Sequence, residues 1–435
     1  MKENIRIKTQ IKELFKEFLK QERIALGDAE VCLQKFINDA GAETLGDYWS
    51  EQAAANEPDQ IDCECGGQLK KRQHQAKNLL TLIGQTRARR AYYKCKKCKQ
   101  GRYLLDEKLG CRGRAQTGHV QECVALAVAE NSYISARRLL STLARLELAH
   151  HTLELIAQDV GGALQEQRDQ QIVAAVKGPL DSQERPKTLC ITTDGVKAPM
   201  RDGWREARVV AAFPYEKTPG GSEVETGRVS YSARIENCEA TGKRMYAEAQ
   251  LRGAQHAERI AVIGDGADWI WNQSQEHFPG AIEIVDWYHA IEHLWEVANV
   301  LFGQGTNEAR QWEQACEAML WEGQVKGVVK KIQTLFYARR RQEKNFHGSD
   351  AENVLHNNIA YFDRHAKRMN YAHFKREGLP IGSGTVESAC KYLVAQRCKG
   401  SGMQWKEDGI HAVLEIRAAL VSDEWHRVKT LLQAA

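Results

Sequence analysis

The sequence contains no apolar run that could cross a membrane, and its most apolar stretch, residues 124–129, is short. A membrane-spanning helix needs about 18 or more consecutive apolar residues. The chain begins Met1-Lys2-Glu3-Asn4 and lacks the apolar region of a signal peptide. No repeat of fixed period and no low-complexity tract is visible. These absences predict a cytoplasmic protein that does not enter a membrane, and 435 residues allow two or three globular domains.

Twelve cysteines without a secretory signal argue against a disulfide framework and favour free thiols or a metal site. Four of them form two short pairs: Cys63 with Cys65, and Cys95 with Cys98. Two such pairs on turns supply the four ligands that a structural Zn²⁺ prefers. The first pair has only one residue between its cysteines, which is short for such a turn. His74 is therefore an alternative ligand to Cys63, and a chance grouping of thiols is the competing interpretation.

The net charge of +4 is unevenly distributed. Residues 68–114 contain 15 Lys and Arg against two Asp and Glu. A basic segment in an otherwise acidic chain indicates a surface that binds a polyanion, and its three interleaved tyrosines favour nucleic acid. A solvated basic face is the competing interpretation. The candidate DNA contacts are Arg87, Arg89, Arg90, Lys94, Lys96 and Lys97.

The pattern of apolar residues divides the chain into five segments. Helical spacing dominates residues 1–57, and the basic cysteine-containing module follows in residues 58–118. Residues 119–180 are again helical, and residues 135–145 and 152–160 resemble a helix-turn-helix that could enter the major groove, although helical hairpins are common in any bundle. A catalytic domain is predicted for residues 181–405, with helices at about 295–375, and further helices for residues 406–435.

The fourth segment, residues 181–405, has the sequence pattern of a mixed α/β domain. Its apolar runs predict strands, separated by a loop at residues 218–222 and by a helix at residues 241–251. The predicted strands comprise residues 188–193, 207–213, 228–235, 259–263 and 281–285. The order of three strands, a helix, a strand, a helix and a strand predicts an α/β fold.

Three acidic residues of this domain occupy positions at which they could bind metal ions. Asp194 and Asp265 each follow an apolar run and precede a glycine, and Glu387 lies just inside a predicted helix. Carboxylates on rigid elements hold the Mg²⁺ or Mn²⁺ ions that phosphoryl transfer on nucleic acids uses. Taken singly, each residue also fits an ordinary turn or helix start. His289 could position a phosphate or a nucleophile, or it could be a core residue beside aromatic rings.

Several blocks of the sequence resemble the ISKra family of bacterial insertion-sequence transposases. The matching blocks are residues 192–195 (TTDG), 264–271 (GDGADWIW), 286–289 (DWYH), 382–388 (GSGTVES) and 399–405 (KGSGMQW). The resemblance implies a ribonuclease-H-like core with a helical insertion, and an acidic triad of Asp194, Asp265 and Glu387. It also implies that His289 assists catalysis. Relatives usually have two residues between the first pair of cysteines, so the resemblance leaves Cys63 in doubt.

Together these features predict a DDE transposase that binds double-stranded DNA at transposon ends and target sites, as a homo-oligomer. Cleavage and strand transfer would depend on Mg²⁺ or Mn²⁺, with Zn²⁺ as a structural ion and no covalent protein–DNA intermediate. One alternative is a regulator that binds DNA without catalysis. Another is a metal-independent tyrosine recombinase, because His365, Arg368 and Tyr392 superficially fit its HxxR…Tyr pattern.

Overall fold

The computed structural model describes the chain except residues 1, 23, 24, 26, 110, 112, 218–223, 344, 434 and 435. Side chains within helices or strands are likewise left aside at residues 2–8, 217 and 224–226. The described chain forms two compact units. The first contains residues 1–156 and 426–435, and the second contains residues 157–425.

The first unit begins with two long helices, α1 (Lys2–Gln21) and α2 (Ala29–Ala55). They contact each other through aromatic rings, since Phe36 of α2 packs against Phe15 and Phe18 of α1 at centroid distances of 5.6 and 4.5 Å. The helical spacing of the apolar residues in this segment therefore predicts its structure correctly.

A four-stranded antiparallel sheet follows, in the order β1–β2–β3–β4. Its strands are β1 (Gln60–Asp62), β2 (Gln68–Thr81), β3 (Gly84–Cys95) and β4 (Gly101–Arg102). The long β2–β3 hairpin has an irregular register between Lys71 and His74. One end of the hairpin packs Ala91 and Tyr93 around the cysteines, and the other end packs Leu79 and Ala88 against α2.

Five helices complete the first unit or cross its boundary. They are α3 (Leu104–Lys108), α4 (Gly118–Glu130), α5 (Tyr133–Ala144), α6 (His150–Lys177) and α17 (Trp425–Gln433). Ser132 caps α5 by accepting a hydrogen bond from the Ser135 N–H. The two helices of the proposed helix-turn-helix are present, but the second is the first part of a 28-residue helix.

The second unit is built on a six-stranded mixed sheet in the order β10–β9–β5–β6–β7, with β8 also paired to β6. The strands are β5 (Thr188–Met200), β6 (Gly203–Lys217), β7 (Val224–Thr226), β8 (Ser230–Arg234), β9 (Arg259–Gly264) and β10 (Ile282–Val285). β5 is antiparallel to β6 and parallel to β9, and β10 is parallel to β9. The five strands that the apolar runs predict are all present.

Two details differ from the sequence-based expectation. β5 does not end before Asp194 but continues to Met200, because β6 pairs with it as far as Gly203. The next helix, α7 (Cys238–Leu251), begins three residues before Thr241 and is capped by Asn237, which accepts from the Ala240 N–H. The predicted loop at residues 218–222 lies outside the described residues.

Helices flank this sheet and fill the long interval before Glu387. α8 (Asp268–His277) joins β9 to β10, and the helices that follow lead into the last segment. The later helices are α9 (Trp287–Phe302), α10 (Asn307–Trp321), α11 (Val325–Gln342), α12 (Asp350–His365), α13 (Tyr371–Arg376), α14 (Gly384–Ala389), α15 (Gln396–Cys398) and α16 (Glu407–Val421). A π-helical turn, Cys390–Ala395, connects α14 to α15.

A buried ion cluster ties four of these elements together. Arg168 of α6 forms ion pairs with Glu248 of α7 and with Glu415 of α16, the latter at 2.7 Å. Arg234 of β8 also contacts Glu415, at 3.0 Å. Removing one member of such a buried cluster costs roughly 3–5 kcal/mol, because its partners keep an uncompensated charge. The cluster therefore fixes these elements around the sheet.

The described residues form a mixed α/β protein with two sheets and many helices, as the sequence predicts. None of the described helices is long and apolar enough to cross a membrane.

Candidate functional site

The parallel strands of the second unit place three aspartates at the same level. β5 and β9 pair from Thr188 with Arg259 up to Thr192 with Ile263, and this constant offset aligns Asp194 with Asp265. β10 continues the pattern, because Val285 pairs with Gly264 and the Asp286 N–H donates to the Gly264 carbonyl at 2.8 Å. Asp194, Asp265 and Asp286 therefore lie in a row across three adjacent strands.

Local hydrogen bonds orient two of these carboxylates. Asp194 accepts from the N–H of Gly195 at 2.6 Å, and Asp265 accepts from the N–H of Ala267 at 2.8 Å. Gly266 has a φ of +107°, and a side chain there would also meet the ring of Tyr361. The turn after β9 therefore needs glycine beside Asp265.

Asp286 is buried, and both of its carboxylate oxygens accept backbone hydrogen bonds. Oδ1 accepts from the His289 N–H at 2.8 Å and so caps α9. Oδ2 accepts from the N–H of Ser383, in the loop before α14. This loop is also held by the Trp287 N–H, which donates to the Ile381 carbonyl at 2.8 Å. The start of α9 and the loop before α14 are therefore fastened together.

Ser383 connects Asp286 to Glu387 through hydrogen bonds. The Ser383 hydroxyl donates to Glu387 Oε1 at 2.6 Å and does not cap α14. Among the described residues, ligand atoms of Asp286, His289 and Glu387 lie within 4.8 Å of one another. Glu387 therefore comes together with the Asp286–His289 element at the edge where the other two aspartates lie.

Burial and charge repulsion both affect the pKa of Asp194. Burial raises the pKa of Asp194, and repulsion from Asp265 raises it further, whereas hydrogen bonds from Gly195 and Cys390 and the nearby His289 act in the opposite direction. Across the described residues, no Lys or Arg forms an ion pair with Asp194, Asp265, Asp286 or Glu387. Closely spaced carboxylates without a cationic side chain fit hard divalent cations bound through oxygen.

The four cysteines of the first unit meet in one cluster. Cys63 Sγ lies 3.5 Å from Cys98 Sγ and 3.5 Å from Cys65 Sγ, and Cys65 Sγ lies 3.7 Å from Cys95 Sγ. Four thiolates bound to Zn²⁺ at about 2.3 Å in a tetrahedron lie about 3.8 Å apart. The spacing of the four sulfurs fits this geometry.

Backbone geometry around the sulfurs also favours a metal site. Backbone hydrogen bonds from Cys98 and Lys97 lower the pKa of Cys95 to about 6, which favours the metal-binding thiolate. A Cβ at Gly67 would lie only 3.2 Å from the Cys95 sulfur. His74 is not part of the cluster, since its Nε2 lies 2.7 Å from Glu57. The structure thus brings Cys63, and not His74, to the other three cysteines.

Most of the candidate DNA contacts are exposed, but Arg90 is not. Arg87 and Arg89 are exposed on β3, on the opposite face from the buried Ala88. The lysines at positions 94, 96 and 97 are exposed as well. Arg90 is only 9% exposed, because its guanidinium pairs with Asp106 at 2.6 Å and lies 3.8 Å from the centre of the Tyr103 ring. Arg90 is therefore a buried ion-pair residue, which argues against the prediction that it contacts DNA.

The side chains of the HxxR…Tyr pattern have structural partners. His365 is 1% exposed, its pKa is lowered to about 4 mainly by burial, and Arg368 pairs with Glu283 at 2.7 Å. Tyr392 packs its ring against Tyr231 at 5.8 Å. These contacts account for the three residues as parts of the packed unit.

Three site residues were not assigned from sequence. The sequence pattern marks Asp286 only as part of the block that contains His289, and it does not mark Ser383 or Cys390 as site residues. The position of Asp286 directly after the last predicted strand was a usable signal for it. The roles of Ser383 and Cys390 depend on contacts between distant segments, which the sequence pattern does not encode.

A family model described as "Uncharacterised protein family (UPF0236)" matches residues 65–431. A UPF0236 protein of Caldanaerobacter subterraneus subsp. tengcongensis is 24% identical to this chain over 351 residues. The aligned part covers 78% of this chain and 67% of that relative. The range of the family model includes Cys65, Cys95 and Cys98 of the cysteine cluster and the whole of the second unit. The chain therefore belongs to the UPF0236 family.

Proposed function

We propose that this protein is a DNA transposase of the DDE type, akin to the ISKra family of insertion-sequence transposases. The observation that carries the proposal is that Asp194, Asp265 and Asp286 lie in a row across three adjacent strands. Contacts of Asp286 and Ser383 bring Glu387 to the same edge of the sheet. The strand order β8–β6–β5–β9–β10, with three antiparallel strands followed by two parallel ones, supports a ribonuclease-H-like core. The helices α9–α13 then form the insertion before Glu387.

The carboxylates assigned to the divalent cations are Asp194, Asp265 and Glu387. Mg²⁺ or Mn²⁺ bound there would supply the charge stabilisation that phosphodiester cleavage and strand transfer need. Asp286 holds Glu387 through Ser383, and its own oxygens are already engaged by two backbone N–H groups. His289, whose Nδ1 lies 3.3 Å from Glu292, stands beside Glu387 where it can donate to a phosphate oxygen.

The first unit is proposed to bind DNA. Cys63, Cys65, Cys95 and Cys98 would hold a structural Zn²⁺, and Arg87, Arg89, Lys94, Lys96 and Lys97 would contact phosphates of double-stranded DNA. The helices α5 and α6 are the candidate helix-turn-helix. We also propose that the protein binds transposon ends and target DNA as a homo-oligomer. It would do so in the cytoplasm, at the nucleoid.

Two other functions make different predictions. A tyrosine recombinase needs no metal, but the contacts of His365, Arg368 and Tyr392 favour structural roles. A DNA-binding regulator would need the cysteine module but not the aligned carboxylates of Asp194, Asp265 and Asp286. A cleavage assay on DNA carrying the transposon ends, with and without Mg²⁺, separates the three possibilities.

Asp194→Asn should abolish strand cleavage and transfer and leave binding to transposon ends intact. The substitution removes a charged ligand without changing the shape of the side chain. Gel assays of cleavage and binding test this, with the exposed Asp181→Asn as a matched control. Cleavage by Asp194→Asn at the wild-type rate in Mg²⁺ would contradict the assignment.

Asp286→Asn should raise the Mg²⁺ concentration needed for half-maximal cleavage by about 10–100-fold, the usual effect of removing support from a metal ligand. The amide can still accept one backbone hydrogen bond but would present its NH₂ group to the other N–H. The Asp363→Asn variant, exposed on α12, is the control. A Mg²⁺ dependence equal to that of the wild type would show that Asp286 does not position Glu387.

Protein purified without chelator should contain about one Zn²⁺ per chain, and Cys95→Ser combined with Cys98→Ser should lose it. Small metal modules take much of their folding free energy from the ion, so the double variant should also lose DNA binding. Elemental analysis measures the metal, and Cys238→Ser, outside the cluster, should retain it. Zinc-free wild-type protein that still binds DNA would rule out this role.

Arg87→Ala with Arg89→Ala should reduce the salt dependence of duplex binding. Each lost phosphate contact flattens the slope of log K against log[salt] by about 0.9, so the pair should change it by roughly 2. The exposed pair Lys375→Ala with Arg376→Ala removes the same charge elsewhere and should leave the slope unchanged. Equal slopes for the two double variants would assign Arg87 and Arg89 to a solvated face.

A further inference from the structure

The β5–β6 hairpin extends well past the row of carboxylates. β9 stops pairing with β5 at Thr192, whereas β6 remains paired as far as Met200 with Gly203. The part beyond Asp194, residues 195–208, is called the ribbon below. At about 3.4 Å per residue, Met200 near its tip lies about 20 Å from Asp194.

The tip of the ribbon is anchored. The Arg201 N–H donates to the Trp405 carbonyl at 3.0 Å, and the Trp405 N–H donates to the Pro199 carbonyl at 3.0 Å. Trp405 is itself buried, and its indole N–H donates to the Cys398 carbonyl at 2.9 Å. The ribbon is therefore a supported surface with a fixed position relative to Asp194.

The two faces of the ribbon differ. Ala198, Met200 and Ala207 are buried on one face. Successive side chains of a strand alternate between the two faces of a sheet, so Ala198 and Met200 share the face of Asp194. Lys197 and Trp204, which pairs with Pro199, lie on the opposite face. Trp204 is 63% exposed, and it is the only tryptophan among the exposed large hydrophobic residues of the described chain.

One cation lies beside this tryptophan, and two more belong to the ribbon itself. The Lys399 amine lies 5.8 Å from the centre of the Trp204 ring. Among the described residues, Lys197, Arg201 and Lys399 form no ion pair with an acidic side chain, whereas Arg205 is neutralised by Asp202 and Glu407. An exposed indole among cations is the arrangement with which proteins hold unpaired nucleic acid: the ring stacks on a base and the cations contact phosphates.

We infer that this face of the ribbon binds an unpaired DNA strand, with a base stacked on Trp204 and phosphates near Lys197, Arg201 and Lys399. The inference rests on the proposed function, because it takes DNA to be the ligand of this protein. A protein partner fits less well, since Trp204 is the only exposed large apolar side chain among the described residues of the ribbon. A fully paired duplex offers no free base face except at its ends.

Full-length protein carrying Trp204→Ala should bind a labelled duplex with a single-stranded tail about tenfold more weakly than wild type in fluorescence anisotropy without added Mg²⁺. A blunt duplex, held by the first unit, should lose at most about twofold. Trp204→Phe keeps a ring that can stack and should restore most of the affinity. Tyr337→Ala removes another exposed aromatic ring, on α11, and should leave binding to both DNAs unchanged.

Equal binding of the tailed duplex by wild type and Trp204→Ala would overturn the inference and leave the proposed function standing. An equal loss on both duplexes without rescue by Trp204→Phe would make Trp204 a structural residue and would also overturn it. A change in oligomeric state by light scattering, with DNA binding intact, would instead identify an interface between copies. If wild-type protein binds neither DNA, the proposed function fails together with the inference.

Discussion

The candidate site depends on the register of three parallel strands. β5, β9 and β10 pair with constant offsets, so the residues that follow their common level are Asp194, Asp265 and Asp286. A shift of one residue in any of these pairings would turn a carboxylate to the opposite face of the sheet. The apolar side chains of these strands, which are buried against helices, hold the register, and hence core packing determines where the carboxylates lie.

Glu387 reaches this row from a distant part of the chain. Asp286 and Ser383 are 97 residues apart in sequence, yet the carboxylate of one binds the backbone N–H of the other. The helices between them are also fastened to this edge of the sheet, since the Tyr361 hydroxyl of α12 donates to the Asp265 carbonyl at 3.0 Å. The ion cluster of Arg168, Glu248 and Glu415 fixes α6, α7 and α16 in the same unit. Two buried polar networks thus hold the elements that the sheet alone does not order.

The sequence predicts the elements of this fold better than the contacts between them. Runs of apolar residues identify the strands, because buried strands in a mixed sheet leave a local pattern. The length of β5 was missed because its continuation past Asp194 depends on pairing with β6 and not on its own apolar content. Charge alone also misassigned Arg90, since a basic run does not reveal that Asp106 lies beside one of its members. The roles of Asp286 and Ser383 arise only when segments far apart in sequence meet.

The ligand types in the two units also bear on how the proposed Zn²⁺ and Mg²⁺ would be kept apart. Thiolates prefer Zn²⁺ and carboxylates prefer Mg²⁺ or Mn²⁺, so a reactive thiolate beside Asp194 would draw zinc to the wrong site. Cys390 does lie beside Asp194, but burial raises its pKa far above the usual range, and the charge of Asp194 raises it further. It therefore remains a thiol that donates a hydrogen bond to the carboxylate. In the cysteine cluster, backbone N–H groups have the opposite effect and lower the pKa of Cys95 to about 6, whereas burial and hydrogen bonds among the thiols raise the pKa of Cys63 to about 12. Burial beside a carboxylate thus disfavours the thiolate at Cys390, and backbone N–H groups make Cys95 readier than Cys63 to bind a metal as a thiolate.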